Sequence, residues 1–181
     1  LATSGSYEGG FVAFKETIVK AIEVAEAAHK RESRLAGVGS GFRDLDRLLG
    51  GFHQSDLIIV AGRPAMGKTA LATNIAYNAA KDYLETHGEE GAVVGFFSLE
   101  MSSEQLAARI LSEQSNISSD RMRKGELSNE EFTRLVQASQ ALHQAPVFID
   151  DTPALTVSAL RTRARRLKRQ QKLGLVIVDY L

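Results

Sequence analysis

The sequence predicts an α/β fold, a parallel sheet carried between helices on both of its faces. Three observations predict it. Strand-like apolar runs alternate with amphipathic helical stretches along the chain. Two of those runs, residues 92–98 (AVVGFFS) and 175–180 (LVIVDY), are almost continuously apolar, as strands buried on both faces are. Between a third apolar run and a helix stands Gly62-Arg63-Pro64-Ala65-Met66-Gly67-Lys68-Thr69, a complete G-x-x-x-x-G-K-[ST] phosphate-binding loop.

The elements follow in order. Residues 1–10 carry Gly, Ser and Thr with little apolar content and read as a flexible lead-in. From about 12 to 32 an amphipathic helix is expected, because Phe11, Phe14, Ile18, Ile22 and Ala25 recur at three- and four-residue steps. Its stripe packs back on the same domain or on a neighbouring copy. Gly37, Gly39 and Gly41 read as a hinge, dividing residues 1–34 (lead-in and linker helix) from a body at 35–181. A short helix at 42–49 closes at Gly50-Gly51. Residues 56–61 (DLIIVA) read as a buried strand entering the phosphate loop, and a helix runs from Lys68 to about Leu84. After the strand at 92–98, Ser102 with Gln105 forms a capping box for a helix to about Gln114. A polar, Ser-rich crossing leads to a second box, Ser128 with Glu131, and a helix ending near His143. Pro146 introduces the strand 147–150, Thr156 caps a basic helix that Gly174 stops, and 175–180 is the last strand.

Composition narrows the function. With 181 residues, 44% hydrophobic and 24% charged, the chain is an ordinary globular protein with one good-sized core. No apolar run reaches the length of a membrane span and no signal peptide opens it. The absence of cysteine rules out disulfides and thiolate metal sites, which suits the cytosol. His29, His53, His87 and His143 are too scattered to ligate a metal together. Formal charge is zero, yet seven basic residues and no acidic one lie between Val157 and Leu173, while the remainder holds 15 basic and 22 acidic residues. A solvated face is the default reading of that basic helix; contact with a neighbouring subunit or a DNA backbone is the sharper one.

The phosphate loop names its ligand, a nucleoside triphosphate with its metal. Gly62 and Gly67 let the backbone turn tightly so that amides aim at an anion, Lys68 reaches the β and γ phosphates, and the Thr69 hydroxyl ligates Mg²⁺. Asp179 ends an apolar strand and is the candidate second metal anchor beside Thr69, the alternative being a cap on the next loop. Glu100 follows the 92–98 strand, where a carboxylate orients and deprotonates an attacking water or simply favours a helix N-terminus. Asp150 and Asp151 also end a strand and read as loop and cap residues.

Four blocks carry a resemblance: Ser40-Gly41-Phe42 with Leu45-Asp46 and Gly50-Gly51-Phe52; the loop at 62–69; Phe96-Phe97-Ser98-Leu99-Glu100-Met101-Ser102; and Val176-Ile177-Val178-Asp179-Tyr180-Leu181. Together they resemble the C-terminal ATPase of DnaB-type replicative DNA helicases across nearly the whole chain. The resemblance implies a RecA-like P-loop NTPase core, with Lys68 and Thr69 as the Walker A pair, Asp179 as the Walker B acid and Glu100 as the catalytic glutamate. It also implies ATP and Mg²⁺ as cofactors and a cytoplasmic homohexamer moving on single-stranded DNA. The helix at 11–32 would be a linker docking on the adjacent subunit, with primase and a helicase loader as primosome partners. Other RecA-like ring ATPases, of recombinase or clock type, share the same loop physics. A nucleotide-binding or assembly module without turnover is the non-enzymatic alternative for the chain alone.

Against the family pattern the chain stops just past the Walker B strand, so a C-terminally truncated core is expected. The strand that lies between the P-loop strand and the Walker B strand is then missing. Two apolar strands would face a gap, which calls for either a rearranged sheet or something else in the gap.

Overall fold

A computed structural model of the chain describes residues 12–30 and 35–180. Phe11 of the apolar stripe, the lead-in at 1–10 and Leu181 lie outside the described residues. In chain order the elements are α1 (Phe14–Lys30), α2 (Arg43–Leu49), α3 (Lys68–Glu85), β1 (Val94–Ser98), α4 (Ser103–Ser115), α5 (Ser119–Lys124), α6 (Asn129–Gln144), β2 (Val147–Asp150), α7 (Val157–Gln171) and β3 (Leu175–Asp179).

The sheet is parallel, in the order β2-β1-β3. β1 is central and buried along its whole length. Its register aligns Val147, Val94 and Leu175 in one row and Ile149, Phe96 and Ile177 in the next. These two rows meet Ala72, Ala76, Ala79 and Ala80 of α3, with Leu106 of α4 closing the cluster. Small alanines let the helix lie close over the sheet, and burying β-branched and aromatic side chains between them is the main stabilising term. The opposite face belongs to α7: a Cβ placed on Gly95 would come within 3.2 Å of Leu167 and 3.1 Å of Leu173. Helices on both faces of a parallel sheet are as expected from the alternation.

Both capping boxes form. Ser102 and Gln105 bond each other's backbone at the start of α4, and Ser128 and Glu131 do so at α6. Between them the Ser-rich crossing folds into α5, a helix the periodicity does not reveal because six residues are too few for a stripe. Its end signals are ordinary: Gly125 caps it in the left-handed region, and Arg121 pairs with Glu131 of α6.

Three expectations need correction, and one open alternative is narrowed. Residues 56–61 form no strand: Leu57 is 85% and Ile59 80% exposed, and no amide from Leu57 to Gly62 donates a hydrogen bond among the described residues. Facing them across a trough of about 890 Å³ is the free edge of β3, with Val176 and Val178. So the gap is real, and the apolar run beside it has no partner to pair with.

The glycines at 37–41 are not a hinge. Val38 and Phe52 exchange backbone hydrogen bonds of 2.9 and 2.8 Å, and Asp46 accepts from the amides of Ser40 and Gly41. Asn78 of α3 donates to the Ser40 carbonyl, tying the closed loop to the core. Gly51 sits at φ 86°, where a Cβ would lie 2.7 Å from the Gly37 carbonyl carbon. Glycine is needed there for close approach and for conformation.

Third, of the two covers left open for the stripe of α1, its own domain is not the one found among the described residues: Phe14, Ile18 and Ile22 are 79%, 41% and 61% exposed. Fourth, α7 is stopped by Lys172 in the left-handed region (φ 59°), ahead of Gly174. Gly174 instead starts the pairing of β3, donating to the Val93 carbonyl at 2.9 Å, where a Cβ would press on Ala92 at 2.9 Å.

Candidate active site at the carboxyl edge of the sheet

All three parallel strands deliver their carboxyl ends to one edge, and α3 begins at that edge with the phosphate loop. The loop turns through Ala65 (φ 61°) and Gly67 (φ 86°) before Lys68 opens the helix. A Cβ on Gly67 would meet nothing within 4 Å, so glycine there serves the left-handed conformation. Gly62 has neither a positive φ nor a crowded Cβ position, so nothing in this state of the loop demands glycine there. No side chain caps α3, leaving its first amides for a ligand.

Lys68 lies folded across its own loop, donating from Nζ to the carbonyl oxygens of Gly62 (3.1 Å) and Arg63 (3.4 Å). Met66 closes a turn onto the Arg63 carbonyl. Thr69 is half-buried on the first turn of α3.

Asp179 is 6% exposed at the end of β3, paired in register with Ser98 of β1. Its Oδ2 is buried with no hydrogen-bond partner. A buried, unpartnered carboxylate oxygen is costly and is usually explained by something that binds it. Asp179 and Lys68 line a single cavity of about 190 Å³, otherwise mainly apolar. Thr69, expected beside Asp179 as the other metal anchor, does not line that cavity, and neither does Glu100. A hard carboxylate oxygen beside a phosphate loop is the right donor chemistry for Mg²⁺. Among the described residues no cluster of three His, Cys, Asp or Glu offers an all-protein metal cage.

Glu100 is exposed in the turn between β1 and α4. That turn is held by Leu99 N donating to the Asp179 carbonyl at 2.7 Å and Ser98 Oγ donating to the Met101 carbonyl at 2.7 Å. Asp150 and Asp151 act as loop and cap residues. Asp150 receives Arg163 Nη1 at 2.8 and 2.6 Å and the Thr152 amide at 3.1 Å. Burial pushes its carboxyl up, but the bonds from Arg163 and Thr152 outweigh that and hold it below the usual range. Asp151 accepts from the Ser103 amide at 2.7 Å, a bond that holds its carboxyl low. Sequence reasoning missed Ser98, Ser103 and Arg163, because bonds between distant segments leave no periodic trace. Most of the basic helix is solvated as expected, Arg163 being pinned to Asp150 and Lys168 to the Leu173 carbonyl.

A sequence model of the DnaB-like helicase C terminal domain matches residues 37–181. The chain belongs to that family. It is 48% identical over 184 aligned positions to the replicative DNA helicase DnaB of Rickettsia bellii, the match covering 100% of this chain and 37% of that protein. A solved ATPase domain superposes with a TM-score of 0.82 at 26% identity, over 95% of this chain and 58% of that one. A DnaB-like replicative helicase solved for its interactions with primase gives 0.74 at 25% identity, over 97% of this chain and 40% of that one. The fold of this DnaB-like domain is therefore RecA-like, and nucleotide binding in general goes with that family. No helix among its described residues is long and apolar enough to cross a membrane.

Proposed function

We propose that this chain is the nucleotide-hydrolysing core of a replicative DNA helicase, binding ATP with Mg²⁺ and coupling its hydrolysis to movement along single-stranded DNA. The observation that carries the reading is the shared cavity of Lys68 and Asp179, which an unpartnered, buried carboxylate oxygen lines together with the lysine of the phosphate loop.

Each residue has a role that its position supports. The loop at 62–69 supplies amides at the start of α3, where the helix dipole favours anions. Lys68 leaves the Gly62 and Arg63 carbonyls for the phosphates, exchanging two neutral acceptors for a charged one. Thr69 and Asp179 would hold Mg²⁺, which neutralises charge on the phosphates. Glu100, exposed at the carboxyl edge, orients the attacking water and takes its proton.

The uncovered stripe of α1 supports docking on an adjacent subunit of a homohexamer. A cysteine-free chain suits the cytoplasm, where DNA, primase and a loader would be its partners. Lys68→Ala and Glu100→Gln in the full-length protein test the site. Lys68→Ala should lose ATP binding, and Glu100→Gln should bind ATP normally without turning it over. Parental turnover by Glu100→Gln would remove Glu100 from the mechanism. Unwinding of forked DNA with a definite polarity separates a helicase from a recombinase or clock-type ring.

One observation favours a second reading for the 181-residue chain by itself, a nucleotide-binding module without turnover. Among the described residues the segment that leads into the loop is unpaired, and the loop is held to the sheet through α3 and the 37–52 closure. Comparing the DNA-stimulated ATPase of this chain with that of the full-length protein decides between the two.

A further inference from the structure

We propose that Asp151, at the end of β2, is a positioning residue that sets where Glu100 stands. The proposal rests on the reading of Glu100 as the group that orients water. Glu100 makes no hydrogen bond or ion pair of its own among the described residues, so its place is fixed by its backbone. That backbone, residues 99–102, hangs between two anchors. On the β1 side the Leu99 amide bonds the Asp179 carbonyl at 2.7 Å, and Ser98 Oγ bonds the Met101 carbonyl at 2.7 Å. On the α4 side the Ser103 amide bonds Asp151 Oδ2 at 2.7 Å, across 48 residues of sequence.

The Asp151 bond lies outside the capping box of α4, on an amide that the box leaves free. Ser102 and Gln105 already complete a capping box there, Ser102 accepting from the Gln105 amide at 3.3 Å and the Gln105 side chain accepting from the Ser102 amide at 3.2 Å. What Asp151 adds is a cross-link from the helix to the sheet edge. It is itself held: Arg163 of α7 binds both Asp150 oxygens and, at 2.6 Å, the Thr152 hydroxyl on its other side. Its charge also suits the start of α4. Removing the carboxylate frees α4 to shift against β1, and Glu100 moves with the turn that joins them.

Misplacing a catalytic group by about an ångström costs up to roughly a hundredfold in rate, so a partial loosening is expected to cost roughly tenfold. In the full-length protein Asp151→Ala should lower kcat for ATP hydrolysis by that tenfold and leave KM and nucleotide affinity within about twofold. Asp151→Asn should restore the rate, because an amide oxygen accepts the same bond. Arg163→Gln, which loosens the turn less directly, should lose roughly two- to threefold. In single-turnover assays Asp151→Ala should add nothing to Glu100→Gln.

Parental kcat in Asp151→Ala, an Asp151→Asn rate no better than Asp151→Ala, or a loss of nucleotide affinity equal to the loss of rate would each overturn the proposal. If Asp151→Ala fails to fold, as read by circular dichroism, Arg163→Gln and Asp151→Asn carry the same test. Failure of the underlying reading looks different: Glu100→Gln then hydrolyses ATP at the parental rate, and the positioning role falls with it. When Glu100→Gln is inactive and Asp151→Ala is not, only the positioning role is lost.

Discussion

Two runs of this chain are about equally apolar and meet opposite fates. Val94 to Phe97 of β1 lie between α3 and α7 with a parallel neighbour on each side, and none is more than 3% exposed apart from Gly95, also buried. Leu57 to Val60 lead into the phosphate loop 47–85% exposed and unpaired. Hydropathy is not what separates them. A strand stabilises itself only when its amides and carbonyls find a ladder and its side chains find a cover. β1 has both, whereas the 57–60 run faces β3 across an open trough. The carboxyl edge of the sheet inherits the division: Glu100 and Asp179 stand on the settled half, and the front of the phosphate loop hangs from the unsettled one.

The largest effect expected from this contrast is at Phe96. It is fully buried beneath α3, with Ile149 and Ile177 on either side of it in its row. Phe96→Ala should lose roughly 3–5 kcal/mol, a large share of what a domain of this size has. Denaturant unfolding followed by far-UV circular dichroism measures it. A loss under about 1 kcal/mol would mean that β1 is not the centre of the core.

How much of this could be read from residues alone follows the same line. The phosphate loop, both Ser boxes and the fully apolar β1 and β3 were legible because each signal is local, a few side chains acting on their own backbone. The helical stripe of α1 was legible, but its cover was not, because no cover lies within the described residues. The 56–61 strand was misread because strand formation depends on a neighbour, and sequence pattern shows the side chains without the ladder. Gly37, Gly39 and Gly41 carry the composition of a hinge and the structure of a tight closure, which only the Val38–Phe52 bridge and Asn78 reveal. At the candidate site, Lys68, Asp179 and Glu100 are singled out by motif, while the Asp151–Ser103 latch spans segments with no shared periodicity.

A smaller effect is expected at Asp150. Its folded carboxyl lies below the ordinary value, so the ion pair with Arg163 contributes stability above the unfolded pKa of about 3.9. That contribution is lost as pH falls through the lower folded value. With the Arg163 side chain 44% exposed, water screens the pair, and its worth is under about 1 kcal/mol. Asp150→Asn should therefore unfold at slightly lower denaturant than the parent at pH 7, with the difference closing as pH falls through the lowered folded value. A gap that persisted unchanged at pH 2 would mean that the charge is not what Arg163 holds.

The smallest effect is the most informative about the two halves. Ile59 is 80% exposed, so Ile59→Ser removes almost no buried surface. Unfolding free energy should change by no more than about 0.5 kcal/mol, as for surface substitutions generally. Amides 57–60 should exchange with solvent rapidly in parent and variant alike, since none donates a hydrogen bond among the described residues. Reduced self-association should accompany the change, because an exposed apolar run beside an unpaired strand edge is a template for pairing with another chain. A loss above about 1.5 kcal/mol, or slow exchange at 57–60, would show that in solution this run has found a ladder after all. The phosphate loop would then be anchored to the sheet from both sides, and the division between the two halves of the site would disappear.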